Sequence, residues 1–328
     1  MTKTVLVVGC GSIGRRHIGN LTKLGCRVTA FDPDASRARW AAGNLGCETV
    51  ASLEEGLNRK PGAVWICTPP SLHAAVAVPA LRRGVDCFIE KPLAHDLPSA
   101  GAIAAAAKRG RARVAVGYQL RAHPGLRWLK KTLDSGKWGR LLFLRAQLGQ
   151  YLPDWRPWQD YRKSYTARRE LGGGIILDGS HELDLALWLG GRAEAVYCRA
   201  RRLSRLDVNV EDTAALTLDF ADGALGEVHL DMVSRAYRRG LELSCERATV
   251  LWDQPTGTAR VYSPKTKKWT VRRFELDYND LYSLESAAFL KKGAEPRAAS
   301  LQEGRALLAA VDAAMKSART GRRERIKK

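Results

Sequence analysis

Gly9-Cys10-Gly11-Ser12-Ile13-Gly14 follows the apolar run Val5-Leu6-Val7-Val8 directly and stands at the mouth of a helical stretch over 12–24. This G-x-G-x-x-G spacing has a mechanical reading. The first glycine permits a tight turn, the second lets a backbone approach a pyrophosphate, and the third allows close packing of helix on strand. Unpaired N–H groups at the start of such a helix face an anion. Working outward, 27–31 reads as a second strand and leads into Asp32, where a carboxylate accepts from the ribose hydroxyls of an adenine dinucleotide. Strand, glycines, helix, strand and acid in this order make Gly9, Gly11, Ser12, Ile13, Gly14 and Asp32 candidate cofactor-binding residues. A carboxylate at Asp32 repels the additional phosphate of NADP, so NAD is expected ahead of NADP. Arg37 and Arg39 are the nearby residues able to reverse that preference.

The same rhythm continues. Apolar runs at 5–8, 27–31, 63–67, 86–89 and 114–116 read as buried parallel strands. Helical periodicity fills 12–24, 35–45, 72–83 and 98–108 between them. Alternating β and α predicts a doubly wound parallel sheet. After residue 120 the pattern changes. A helix near 125–133 precedes a long strand over 140–150, an irregular loop and a helix over 175–189. Strands then follow at 196–203, 214–220, 223–233, 241–246, 249–252 and 260–262, with polar–apolar alternation and an Asp222-Gly223 hairpin turn. Helices over 278–292 and 300–318 close the chain. The expected architecture is α/β: a parallel-sheet domain over 1–120, then an α+β domain over 121–328 with an open, mostly antiparallel sheet.

Composition narrows the class. The 328 residues carry 54 Lys and Arg against 34 Asp and Glu, a formal charge of +20, with 45% apolar residues. Such a chain packs a core and is not disordered. No apolar run approaches the ~18–20 residues that cross a bilayer. The start at Met1-Thr2-Lys3 lacks the apolar segment of a signal peptide. Seven scattered cysteines without a C-x-x-C pair argue against a zinc knuckle or disulfide framework and for a reducing cytoplasm, with no metal expected. The positive excess is spread over both halves and ends in a basic cluster, Lys316, Arg319, Arg322, Arg323, Arg325, Lys327 and Lys328. It reads as a solvated surface rather than a nucleic-acid footprint.

Two further motifs stand at strand ends, where α/β sheets bind ligands: Thr68-Pro69-Pro70-Ser71-Leu72-His73 after the 63–67 strand, and Glu90-Lys91-Pro92 after the 86–89 strand. In the second half, Gly172-Gly173-Gly174 precedes Asp178, His181 and Asp184. Together with the glycine turn, these resemble the glucose–fructose oxidoreductase, inositol dehydrogenase and MocA family over nearly the whole chain. The resemblance implies a Rossmann domain, then a domain whose open sheet serves in oligomer contacts, giving a homodimer or homotetramer. It also implies hydride transfer between nicotinamide and a hydroxyl-bearing carbon of a sugar, cyclitol or sugar nucleotide. Lys91 becomes the lysine of E-K-P, its bond to Pro92 often cis in such proteins, and His181 the histidine of the catalytic helix. Thr68, Pro69, Pro70, His73, Glu90 and Lys91 join the cofactor-binding candidates.

Removing a hydride from an alcohol also requires a base for the proton. Lysine serves when desolvation or nearby positive charge lowers its pKa, and histidine titrates in the useful range already. One departure from the family stands out: it usually has D-x-x-x-H, whereas here Asp178 and His181 are three apart in Leu177-Asp178-Gly179-Ser180-His181-Glu182. Asp178 from a shifted register, or Glu182, is left to orient the imidazole. The stretch 151–171 interleaves Trp155, Trp158, Tyr161 and Tyr165 with Arg156, Arg162, Lys163, Arg168 and Arg169. Aromatic faces stack on sugar or base rings, and guanidinium forks grip carboxylate or phosphate. Trp155, Arg162 and Arg168, with Arg121 after the last parallel strand, Asp178 and His181, are the candidate substrate-binding residues, and the substrate is expected to be acidic or phosphorylated. His123 is a further cleft candidate, and His17 reads as structural or cofactor-adjacent. Two other readings stay open here: transient use of NAD in glycoside cleavage, and a non-catalytic NAD-binding regulator.

Overall fold

In the computed structural model, which describes residues 3–327, the glycine turn follows the first strand, which lies next to the centre of a seven-stranded sheet. Met1, Thr2 and Lys328, the last of the basic cluster, lie outside the described residues. The sheet contains β1 (Thr4–Val8), β2 (Arg27–Phe31), β3 (Glu48–Thr49), β4 (Ala63–Ile66), β5 (Asp86–Glu90) and β6 (Val114–Gly117). Its order is β6-β5-β4-β1-β2-β3, all parallel, with the short strand Ala299–Ser300 antiparallel at the β6 edge. The strand order reverses beside β1, so the loops after β1 and β4 diverge and leave a crevice at their carboxyl ends. Burial on both faces explains the continuous apolar strands: Leu6, Val7, Val64, Trp65 and Ile66 are fully enclosed.

The chain forms two compact units, and the first is discontinuous: residues 1–122 together with Asp277–Leu308. A boundary at 120 is therefore incomplete, because the helix Tyr278–Leu290 belongs with the parallel sheet. Phe289 brings its ring edge-on to Trp65 at 5.4 Å, and Trp65 stacks on Phe88 at 5.3 Å. Asn20 and Asn279 exchange amide hydrogen bonds.

The second unit holds His123–Leu276 and 309–328. Its sheet comprises β7 (Leu141–Gly149), β8 (Ala193–Arg201), β9 (Thr213–Phe220), β10 (Leu225–Asp231), β11 (Arg238–Cys245), β12 (Ala248–Asp253), β13 (Thr258–Ser263) and β14 (Lys268–Arg273). The order is β14-β13-β12-β11-β7-β10-β9-β8, ending on the short strand Glu324–Arg325. Every pairing is antiparallel except β7 with β10. One face buries Leu144, Ala146, Val228, Leu230 and Leu243, and the helix Ser180–Gly190 packs against β7 and β10. The other presents a row in which Arg145 pairs with Glu227 at 2.9 Å and Glu242 at 3.5 Å.

His123 is a helix cap rather than a cleft residue. It is buried, its Nδ1 accepts from the Gly125 N–H at 3.0 Å at the start of helix Pro124–Asp134, and its ring lies edge-on to Trp252. Burial pulls its pKa from 6.5 down to about 4. The unfolded imidazole binds its proton near 6.5, so stability is fully present above that pH and falls as the pH drops toward 4, by about 3 kcal/mol in all. His123→Asn keeps a cap acceptor and removes the titration. Denaturant midpoints at pH 7 and 4.5 should therefore diverge less in the variant than in the parent, and equal divergence would show that His123 plays no part.

Candidate active site

The three glycines of the turn are required for different reasons. Gly9 has φ +98°, and a Cβ there would sit 2.7 Å from the Cys67 carbonyl oxygen. A Cβ on Gly14 would lie 1.8 Å from the Gly9 carbonyl oxygen. Gly11 has an ordinary φ of −71°, and its Cβ would meet no atom within 4 Å. Protein packing accounts for Gly9 and Gly14 but leaves Gly11 unexplained, which is what a backbone reserved for close approach of a ligand looks like. Gly11 also caps helix Ser12–Lys23 without a side-chain hydrogen bond, so Ser12 and Ile13 open an uncapped, anion-attracting end. Asp32 is nearly buried. Its carboxylate accepts from the Cys10 N–H at 2.7 Å and the Asp34 N–H at 2.9 Å, so it closes the turn while each oxygen keeps a second lone pair. Arg37 pairs with Asp34 at 3.3 Å.

After β4, Thr68 holds a buried hydroxyl with no hydrogen-bond partner, Pro69 is exposed and Pro70 is buried. His73 lies wholly inside, with Nδ1 2.9 Å from the Pro92 carbonyl and Nε2 2.9 Å from the Thr68 carbonyl. Burial outweighs these contacts and lowers its pKa, so the neutral ring donates to one carbonyl at a time. Its place is between the T-P-P and E-K-P loops, tying them together. Glu90, at the end of β5, meets His17 at 2.7 Å and accepts the Lys91 N–H at 3.3 Å. Lys91 is half-buried, and its peptide bond to Pro92 is cis. Arg121 is buried and pairs with Glu303 at 2.5 Å. An open-ended glycine, an orphaned buried hydroxyl and an uncapped helix start fit a dinucleotide.

In the second unit, the helix read over 175–189 breaks at Gly179 into Ile175–Asp178 and Ser180–Gly190. A Cβ on Gly179 would lie 2.7 Å from the Ile175 carbonyl oxygen. Asp178 ends the first piece and accepts from Tyr165 Oη at 2.7 Å and Thr166 Oγ1 at 2.5 Å. His181 is buried in the second piece, and Glu182 beside it accepts from Arg239 Nε at 2.6 Å. Both acids expected to orient His181 thus also hold Tyr165, Thr166 and Arg239.

The loop 151–171 is built of one four-residue helical turn and three 3-10 turns. Trp155 is half-buried and donates to the Gln150 carbonyl at 3.0 Å. With Arg156, Tyr161 and Thr166 it lines a shallow, half-open pocket. Arg162 lies outside, chelated by Asp160 at 2.9 and 3.1 Å, and Arg168 donates to the Arg162 carbonyl at 2.8 Å. Sequence reading missed Thr166 and Glu211, and took Tyr165 for a stacking face where it donates to Asp178. The consecutive glycines were the available signal: a Cβ on Gly173 would strike the Tyr165 carbonyl at 2.2 Å, and one on Gly174 would strike Glu211 at 2.3 Å.

Comparison with known proteins agrees with this geometry. Residues 3–118 match a family model described as an oxidoreductase family with an NAD-binding Rossmann fold, and residues 126–251 match the GFO/IDH/MocA C-terminal domain. An inositol 2-dehydrogenase of Saccharopolyspora erythraea is 31% identical, over 98% of this chain and 94% of its own. A UDP-N-acetylglucosamine 3-dehydrogenase of Acidithiobacillus ferrooxidans is 29% identical over 78% and 75%. A levoglucosan dehydrogenase solved with NADH superposes with a TM-score of 0.91 over all of both chains at 20% identity, a likeness of fold.

Proposed function

This chain belongs to the Gfo/Idh/MocA family of NAD-binding oxidoreductases, which act on CH–OH groups, and from that premise we propose that it oxidises a cyclitol, sugar or sugar nucleotide with Lys91 and His181 as the proton-transferring pair. The observation that carries the reading is the end of β1, where Gly11 opens helix Ser12–Lys23 without a side-chain cap and with open space over its Cα, at the same carboxyl-end side of the parallel sheet as Lys91. Bound NAD supplies the hydride acceptor. The glycine turn and the start of helix Ser12–Lys23 hold the pyrophosphate, and Asp32 takes the ribose hydroxyls. Lys91 follows the last residue of β5, where its neutral amine would take the alcohol proton during oxidation and its ammonium would return one in the reverse direction, with His181 as the second proton-transferring group. The Trp155 ring, at the rim of the shallow pocket, offers a face for a sugar ring to stack on. The pocket's Arg156, together with Arg168, favours an anionic substrate such as a nucleotide-linked sugar. Arg162 already spends its fork on Asp160, so it contributes less than its position in the sequence suggested.

NADH formation with inositol, free sugars and UDP-sugars tests this. Turnover of one class with an oxidised product supports it. Net hydrolysis with NAD unchanged would replace it by the glycoside-cleaving reading, and binding without turnover by the regulator reading. Cofactor choice is a separate expectation: NAD should bind at least tenfold more tightly than NADP, and Asp32→Ser, which still offers Cys10 N–H an acceptor, should narrow the gap. Calorimetry giving the parent tighter NADP binding would overturn it.

We also propose that the uncovered face of the second sheet, which carries the Arg145 ion pairs with Leu225 50% exposed on the neighbouring strand and Val271 57% exposed on the β14 edge, joins copies of the chain into a dimer or tetramer. Among the described residues no helix is long and apolar enough to cross a membrane. The seven cysteines are all free, and burial pushes Cys10 and Cys198 up to about 12; reduced, unreactive thiols of this kind support a cytoplasmic location.

A further inference from the structure

Three titratable side chains meet inside the first unit. His17 comes from the helix after the glycine turn, Glu90 from the end of β5 and Glu285 from helix Tyr278–Leu290; one nitrogen or carboxylate oxygen from each lies within 4.8 Å of the others. His17 and Glu285 are completely buried, and Glu90 is 7% exposed. Glu90 has two partners, His17 Nε2 at 2.7 Å and the Lys91 N–H at 3.3 Å. Glu285 has none: among the described residues neither of its oxygens finds a hydrogen-bond partner, nor does His17 Nδ1. Phe88 and Tyr282 set their ring edges against His17 at 5.6 and 5.7 Å.

Two ionised carboxylates this close in a dry, aromatic pocket repel each other strongly, so one of them keeps its proton. Glu90 has the Lys91 N–H as a donor and the His17 ring against it, contacts that suit a charged carboxylate. Glu285 has no donor and is the acid. Burial, reinforced by Glu90, holds the Glu285 pKa well above the ordinary carboxylate range. The other groups around the cluster do not compensate. Cys67 and Tyr282 are themselves pushed upward and stay neutral, Tyr278 and Ser286 are uncharged, and the Arg16 guanidinium lies over the Tyr282 ring at 4.7 Å.

We propose that Glu285 is a neutral carboxylic acid packed beside the His17–Glu90 pair, and that by adding no second charge there it acts as a positioning residue for Lys91, whose peptide N–H Glu90 holds. The positioning part rests on the role proposed for Lys91; the protonation part does not. Glu285→Gln offers an N–H donor and cannot ionise, while Glu285→Leu offers no donor. Unfolding titrations of the full chain at pH 5, 6 and 7 read the protonation. A carboxyl neutral in the fold ionises in the unfolded chain near pH 4.5, so stability is lost as pH rises. The parent's folded-to-unfolded ratio should therefore fall about tenfold per pH unit relative to Glu285→Gln. The infrared difference between the two should also contain the carbonyl stretch of a protonated acid at neutral pH. A stability difference that is flat with pH, or a stoichiometric metal ion found in the parent and lost in Glu285→Gln, would overturn the neutral acid. For positioning, Glu285→Leu should lose at least tenfold in kcat and Glu285→Gln should restore it, with NAD affinity within twofold throughout. Parental kcat in Glu285→Leu would end the positioning role, whereas loss of the Lys91 reading shows separately, as full turnover in Lys91→Met.

Discussion

Lys91→Met should leave a folded protein that binds NAD with parental affinity and turns substrate over ~10²–10⁴-fold more slowly, about 3–5 kcal/mol of transition-state stabilisation. Methionine keeps the length and apolar stem of lysine. The backbone that holds the position, the Lys91 N–H on Glu90 and the tie from Pro92 to His73, is untouched. What disappears is the group that exchanges a proton with the alcohol. His181→Gln, chosen to fill the buried site, should lose a comparable factor. The double variant should lose less than the product of the two, because groups in one relay are not additive. Kinetics on all three variants with a substrate that yields NADH, together with calorimetry of NAD, check this. Near-parental turnover in Lys91→Met would remove the lysine from the chemistry.

The second large effect separates packing from ligand in the glycine turn. Gly14→Ala places a methyl 1.8 Å from a backbone oxygen of Gly9, and Gly9 cannot yield easily. Its N–H is committed to the Phe31 carbonyl at 2.8 Å, and its other side lies against Cys67. Expected destabilisation is at least about 3 kcal/mol, at the upper end of overpacking costs. Gly11→Ala should shift stability by no more than about 0.5 kcal/mol, since its methyl meets nothing and its φ suits alanine. It should still weaken NAD at least tenfold. Thermal melts paired with NAD titrations decide the matter, and parental NAD affinity in Gly11→Ala would remove the pyrophosphate from this turn.

The parallel-sheet half was readable because its signals are local. Strand, glycine and acid lie within one stretch of chain, and β2 occupies 27–31 as expected. The short pieces β3 and helix Leu53–Asn58 went unread because too few residues carry a period. β14 went unread because only Trp269 and Val271 alternate with polar residues in this six-residue exposed edge strand, too short a period to read. At the site, residue types were legible and partners were not. Asp178 was assigned by its spacing to His181, and the spacing gave no sign that it also accepts from Tyr165 and Thr166. Glu285 looked like any helical glutamate, because its neighbours His17 and Glu90 come from the other end of the chain.

The return of Asp277–Leu308 to the parallel sheet has a consequence for how the protein is made. A ribosome that has delivered residues 1–122 has not yet delivered the Phe289 ring that meets Trp65, nor the Ala299–Ser300 strand that pairs with β6. At ~5–20 residues per second, that remainder takes roughly 10–40 s to arrive. Throughout that interval the nascent sheet has an open β6 edge and an uncovered aromatic patch, a surface for trigger-type chaperones to occupy and a hazard when many chains are translated side by side.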